Sequence, residues 1–282
     1  DLAMTAYDSD KAVADMLASG VTDLGLARFT PAAFDAAGKG LIRAIAAQAR
    51  EKRDYEGNQI IASSIGLQKG LRKFDNLADK TIAIDVLGSA AHYQLMQIAR
   101  IKHVDPARIT VKALGTPDAI ARAVGTDQVD AAIMPSLYAR ELLMANQAKF
   151  LGWYSELDEQ QLGALFVSKK MLETRRAAVE KFVHAYRRGA ADYAAALLRT
   201  DRSSKRVSDI KSKEAATTIA RYVYPDRGTD AAATVELGAY YIDPQARLDV
   251  ADVARQIAWY KSQGLIDKAV DARTVVDASF VK

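Results

Sequence analysis

Short aliphatic runs take turns with stretches of 3–4 apolar spacing along the first two thirds of the chain, the pattern of strands alternating with helices. Strands are predicted at Asp23–Ala27, Leu41–Ala47, Gln59–Ser64, Thr81–Val86, Ile109–Leu114, Ala131–Met134, Phe150–Trp153 and Ala164–Ser168. Leu2–Tyr7 reads as one more, already in progress at the first residues. Helices are expected from Asp8-Ser-Asp10 through Leu17, from Thr30-Pro31 to Gly38, from Gly88-Ser89 to Lys102, over Pro117–Val124, and from a Ser136 cap to Asn146. Thr30-Pro31 is a start signal, because the hydroxyl can cap and proline lacks only an N–H that the first turn leaves unpaired anyway. From Leu172 the pattern is helical, with Val179, Phe182, Val183, Tyr186, Ala190, Tyr193 and Leu197 on one face. Residues 50–58 read as a polar loop and 199–214 as a polar linker. Asp249 opens a late helix that Gly264 stops. Strands alternating with helices imply parallel sheets and an α/β fold.

One helix–turn–strand pattern occurs twice. Residues 12–30 and 119–136 align at a constant offset through Ala12/Ala119, Val13/Ile120, Leu17/Val124 and Asp23/Asp130. A repeated unit of this kind suggests two similar α/β lobes with a ligand cleft between them. Both aspartates fall at the N-terminal ends of their strands, away from the expected ligand side, which assigns them to turns.

Composition narrows the function. Of 282 residues, 50% are hydrophobic and 26% charged, which is ordinary for a globular protein. The net charge is +4 (39 basic minus 35 acidic) with no long basic tract, so nucleic acid is not an expected partner. There is no cysteine, which excludes disulfides, thiolate metal sites and cysteine nucleophiles. No apolar run approaches the roughly 18 residues that span a bilayer. His92, His103 and His184 lack metal-ligand spacing, and no nucleophile elbow, P-loop or G-x-G-x-x-G occurs. No metal, no cofactor and no catalytic residue is expected.

The candidate chemistry gathers at three strand-to-helix junctions: Phe29-Thr30-Pro31, Leu87-Gly88-Ser89 and Met134-Pro135-Ser136. Ligands of open α/β sheets bind beyond the carboxyl ends of strands. A helix start there offers unpaired N–H groups and a positive dipole end, which suits an anion. Each hydroxyl either meets a ligand or only caps its own helix. His92 and Tyr93 share the first turn after Ser89, as ligand contacts or as packing. Arg28 either clamps an anionic group or is a solvated strand-end charge. Arg50, Glu51 and Lys52 read as a solvated loop. Trp153 either stacks on a ligand or packs.

The stretches ASGVTDLGLA, NQIIASSIGLQKGLRKFDNLADKTIAI, GSAAHYQLMQIAR, GTDQVDAAIMPS, MLETRRAAVEKFVHAYRRGAADY and DVADVARQIAWYKSQGLIDKAVDARTVVD occur in an order and spacing that give the chain a resemblance. It resembles the substrate-binding proteins of ABC importers, in the nitrate/sulfonate/taurine-binding group that includes the thiamine-precursor (NMT1/THI5-like) proteins. The resemblance implies a type II periplasmic binding protein fold: two αβ lobes joined by two crossing strands, here Gln59–Ser64 and Ala164–Ser168. Residues 1–62 with 200–282 would form one lobe and 63–199 the other. It implies Phe29 and Thr30 as ligand residues on one lobe, and Gly88, Ser89, His92, Tyr93, Met134, Pro135 and Ser136 on the other; Arg28 and Trp153 join the candidates from their places at strand ends. It implies a non-catalytic periplasmic or lipid-anchored receptor, monomeric, that takes a small organic anion to a membrane permease. Family members normally begin with a further strand and helix, so a preceding segment and a signal peptide are expected outside these residues. Two alternatives stay open: a pyrimidine-precursor binding or synthesis protein, whose cysteine-rich motif this chain lacks, and the effector domain of a regulator, which needs an attached DNA-binding or membrane segment.

Overall fold

The computed structural model describes residues 2–202, 205–227 and 230–280. They form two compact units: Asp1–Arg50 with Gln161–Asp192 and Ile242–Lys282 (unit 1), and Glu51–Gln160 with Tyr193–Tyr241 (unit 2). The chain passes between units four times. Three passages run through the short strands Ala49–Glu51, Gln160–Gln161 and Tyr241–Ile242, and the other lies inside the helix Arg176–Leu197.

Unit 1 is built on a three-stranded sheet with Gly163–Ser168 between Leu24–Arg28 and Ile42–Ala47. The outer strands, linked by the helix Pro31–Gly38, point the same way, as a crossover requires. The central strand enters from elsewhere in the chain and pairs antiparallel with both. One face of the sheet is covered by Leu17, Phe34, Val253 and Tyr260, from the helices Asp10–Ala18, Pro31–Gly38 and Val250–Ser262. The other face packs Ile45, Leu165 and Val167 against Val179 and Val183 of the long helix.

Unit 2 repeats the plan on a larger scale. Its five strands lie in the order Ile109–Ala113, Lys80–Ile84, Ala131–Pro135, Asn58–Ser63, Ala148–Trp153. Lys80–Ile84 pairs parallel with both neighbours, and Asn58–Ser63 antiparallel with both of its own. Every residue of Asn58–Ser63 is buried, as a strand covered on two faces must be. Alternate side chains serve opposite clusters: Ile60 joins Ile84, Leu95 and Ile98, while Ile61 joins Ile120, Val124 and Met134.

Five expectations need correction. The sheets are mixed rather than parallel, because one strand in each enters from a distant part of the chain. Gln59–Ser64 and Ala164–Ser168 are not hinge strands; the corresponding strands sit inside the unit 2 and unit 1 sheets. The division at 62/63 and 199/200 accordingly moves to 50/51, 160/161, 192/193 and 241/242. Leu2–Tyr7 forms no strand, and Leu2 and Met4 are exposed. The 50–58 loop begins as strand, with Glu51 wholly buried.

Candidate functional site

In unit 2 the sheet directions decide which ends meet. Lys80–Ile84 and Ala131–Pro135 are parallel, and Ala148–Trp153 runs with them because Asn58–Ser63 opposes both of its neighbours. Gly88-Ser89, Pro135-Ser136 and Trp153 therefore lie at one edge of one sheet. Three carboxyl strand ends with two helix starts are a common setting for a small-molecule site.

At the first helix start, Gly88 takes φ 81°, a conformation that favours glycine. Its N–H donates to His92 Nδ1 at 3.0 Å. The neutral imidazole then carries its proton on Nε2. Burial pushes the His92 pKa down, and the charge of Asp85 opposes that. Ser89 is buried and caps the helix Ala90–Ile101 by accepting the His92 N–H at 3.2 Å. Tyr93 points inward and is buried.

The second helix start differs from the expectation. Ser136 does not cap; Pro135 occupies the cap position and makes no side-chain bond. Ser136 is the first helical residue, buried, with its N–H on the Gly57 carbonyl at 3.1 Å. Met134 lies in the core, while Pro135 is half-buried. Ser136 faces a cavity of about 300 Å³ that Gln59, Arg140, Phe150 and Trp153 also line. A second cavity of about 580 Å³ shares Trp153 and Glu56 with it and takes Arg53, Tyr55 and Arg206 into its wall.

In unit 1, Arg28 is exposed and tied to Asp10, whose carboxylate accepts the Arg28 backbone N–H and Nε, each at 2.9 Å. Phe29 is 1% exposed, stacked on Phe34 at 5.2 Å and edge-on to Phe166 at 5.6 Å. Its side chain belongs to the core, and its backbone is engaged too: the N–H donates to the Leu162 carbonyl at 2.9 Å and the carbonyl accepts from Tyr260 at 3.4 Å. Thr30 caps Pro31–Gly38 through the Ala33 N–H at 3.3 Å.

The structure thus brings Gly88, Ser89, His92, Pro135, Ser136 and Trp153 to one edge of unit 2. It sends Phe29, Tyr93 and Met134 inward. Sequence reasoning missed Gln59, Arg140 and Phe150. A signal existed for Arg140, which stands one helical turn after Ser136 on the same face. It also missed a buried polar chain: Tyr240 donates to Asn58 at 2.7 Å, Asn58 to Gln94 at 2.8 Å, and Gln94 to Gln160 at 2.8 Å, beside Glu51. Gln94 was visible as a polar residue on the apolar face of its helix, between Ala91 and Ile98.

A family model described as NMT1/THI5 like matches residues 1–196. No protein with a curated description matches at a significant level. Among solved structures, the aliphatic sulphonate binding protein SsuA of Escherichia coli superposes with TM-score 0.70 at 16% identity, over 96% of this chain and 80% of that one. The alkanesulfonate-binding protein SsuA of Xanthomonas axonopodis pv. citri, bound to MOPS, gives 0.64 at 19% identity over 95% and 85%. The nitrate-binding protein NrtA of Synechocystis PCC 6803 gives 0.65 at 10% identity over 97% and 77%. The mixed α/β architecture is that of the periplasmic binding proteins.

Proposed function

The chain belongs to the NMT1/THI5-like family, and from that premise we propose that it is the solute-binding receptor of an ABC importer. It captures a small organic anion outside the cytoplasm, as a monomer and without a cofactor, and hands it unchanged to a membrane permease. The observation that carries this reading is the near full-length likeness to sulphonate- and nitrate-binding receptors.

The local chemistry agrees with an anion. The Ser89 helix start carries unpaired N–H groups and a positive dipole end. His92, neutral with its proton on Nε2, adds a donor without a charge. The ligand contacts on unit 2 are Gly88, Ser89, His92, Pro135, Ser136 and Trp153. Tyr93 and Met134 side chains hold these positions from within the core.

Thermal-shift and calorimetric titration with sulfonates, carboxylates, nitrate and pyrimidines tests the reading. One class should bind saturably, and the double variant Ser89→Ala, Ser136→Ala should weaken it by about 1–3 kcal/mol. A flat response to the whole panel would overturn it. A pyrimidine that binds and is recovered intact would change only the solute.

A further inference from the structure

The smaller cavity of unit 2 has a mixed lining. Its apolar part is Leu143, Met144, Phe150 and Trp153. Phe150 and Trp153 meet at 5.0 Å between ring centroids, and Phe150 and Met144 are exposed, Met144 to 77%. Water is a poor neighbour for so much clustered apolar surface. Among the lining residues is Arg140, on the same helix as Leu143 and Met144. Its Nε is shielded from solvent and has no hydrogen-bond partner among the described residues. Its Nη2 forms an ion pair with Glu56 at 3.7 Å, longer than a hydrogen bond, and the side chain is 41% exposed. Such a guanidinium gains from an anionic group whose two oxygens accept both donors together. Ser136 and Gln59, both buried, complete the polar part.

We propose that this cavity binds an organic anion with an apolar aromatic or alkyl body, the body lying against Trp153, Phe150 and Met144 and the charged group held by Arg140. The inference rests on the receptor reading and names the class of solute, with the charged group at Arg140 rather than at the Ser89 helix start. A small hydrophilic ion such as nitrate has nothing to cover the apolar part. The volume, about 300 Å³, is at the small end of the roughly 300–1,000 Å³ that small-molecule pockets span, so the body is one or two rings rather than a long chain. Glu56 competes with the ligand for the guanidinium, so Arg140 and Glu56 should act in opposite directions.

The chain has two tryptophans. In a Trp259→Phe background, Trp153 alone reports on the cavity by fluorescence. 2-Naphthalenesulfonate should change its emission saturably and bind about tenfold or more tighter than methanesulfonate. Arg140→Gln should weaken naphthalenesulfonate about tenfold while barely moving neutral 2-naphthalenesulfonamide, and Glu56→Gln should tighten it. Met144→Ala, at a side chain too exposed to carry the fold, should weaken it by a few fold. Equal affinity for the two sulfonates, or no effect of Arg140→Gln and Glu56→Gln, overturns the proposal. Calorimetric binding of an anion with silent Trp153 emission also overturns it; the receptor role then stands, with Trp153 removed from its ligand contacts. No binding of any anion by either method overturns both.

Discussion

Two carboxyl groups are buried at opposite ends of one unit 2 strand, Asn58–Ser63, and the protein accommodates them in opposite ways. Glu51, 0% exposed, accepts the Asn58 N–H at 2.9 Å through Oε1. Its Oε2 has no partner among the described residues. Burial pushes its pKa up to about 8, with the Asn58 and Gln94 hydrogen bonds pulling the other way. Asp130, 2% exposed, accepts the Thr81 N–H at 2.8 Å, and the Lys69 ammonium stands 2.8 Å from its other oxygen. One buried acid is kept by holding its proton, the other by a cation. Sequence neighbours point the wrong way. Glu51 lies among Arg50, Lys52 and Arg53, yet Arg50 pairs with Asp249, Lys52 with Glu159, and Arg53 donates to the Glu156 carbonyl. Each acid also has a glycine against it. A Cβ on Gly57 would collide with Glu51 Oε2, and one on Gly66 with the Asp130 carbonyl oxygen.

The largest effect expected from this contrast is at Gly66. Gly66→Ala meets backbone that cannot swing aside and should cost about 3 kcal/mol or more in denaturant unfolding. Gly57→Ala meets the end of a side chain and should cost less, and less still in a Glu51→Ala background. Equal costs at the two glycines would break the contrast. Next, Asp130→Ala orphans the Thr81 N–H and should cost roughly 2–4 kcal/mol. Lys69→Ala should cost about 1 kcal/mol or less, since Lys69 is 51% exposed.

Glu51→Gln sharpens the comparison through pH. A native pKa near 8, raised from 4.5, means the folded protein holds a proton that the unfolded chain releases. Glu51 therefore contributes fully below about pH 4.5, and that contribution is lost as pH rises toward 8. Glutamine resembles the protonated form at every pH. Urea midpoints should show the variant gaining on wild type from pH 5 to 9, and a variant that loses ground on wild type over that range contradicts a protonated Glu51. The smallest effects separate the two hydroxyls. Thr30→Ala should cost about 1 kcal/mol as a lost cap. Ser136→Ala, which caps nothing, should stay within about 0.5 kcal/mol.

Much of the local structure was legible because its causes are local. The caps at Thr30, Ser89 and Asp249, and the strand runs around Ile60, Ile82 and Ile133, appear where spacing placed them. Pairing was not legible, since the residues of Gly163–Ser168 do not say which strands they will separate. That is why the lobe boundaries and parallel sheets failed. At the site, Gly88 and Ser89 announce themselves as a tight turn and a cap. Phe29 was misjudged although period two puts it on the same face as buried Ala27, with exposed Arg28 between them. Glu51 was hidden because its burial is made by Gly57, Asn58 and Gln94, and no neighbouring residue marks it as interior.

The receptor reading is tested most directly by calorimetry of the purified chain with its best-binding organic anion, followed by recovery of that anion. The expected result is one saturable site and a ligand recovered unchanged. A flat titration across sulfonates and carboxylates, or a ligand returned as product, would contradict it.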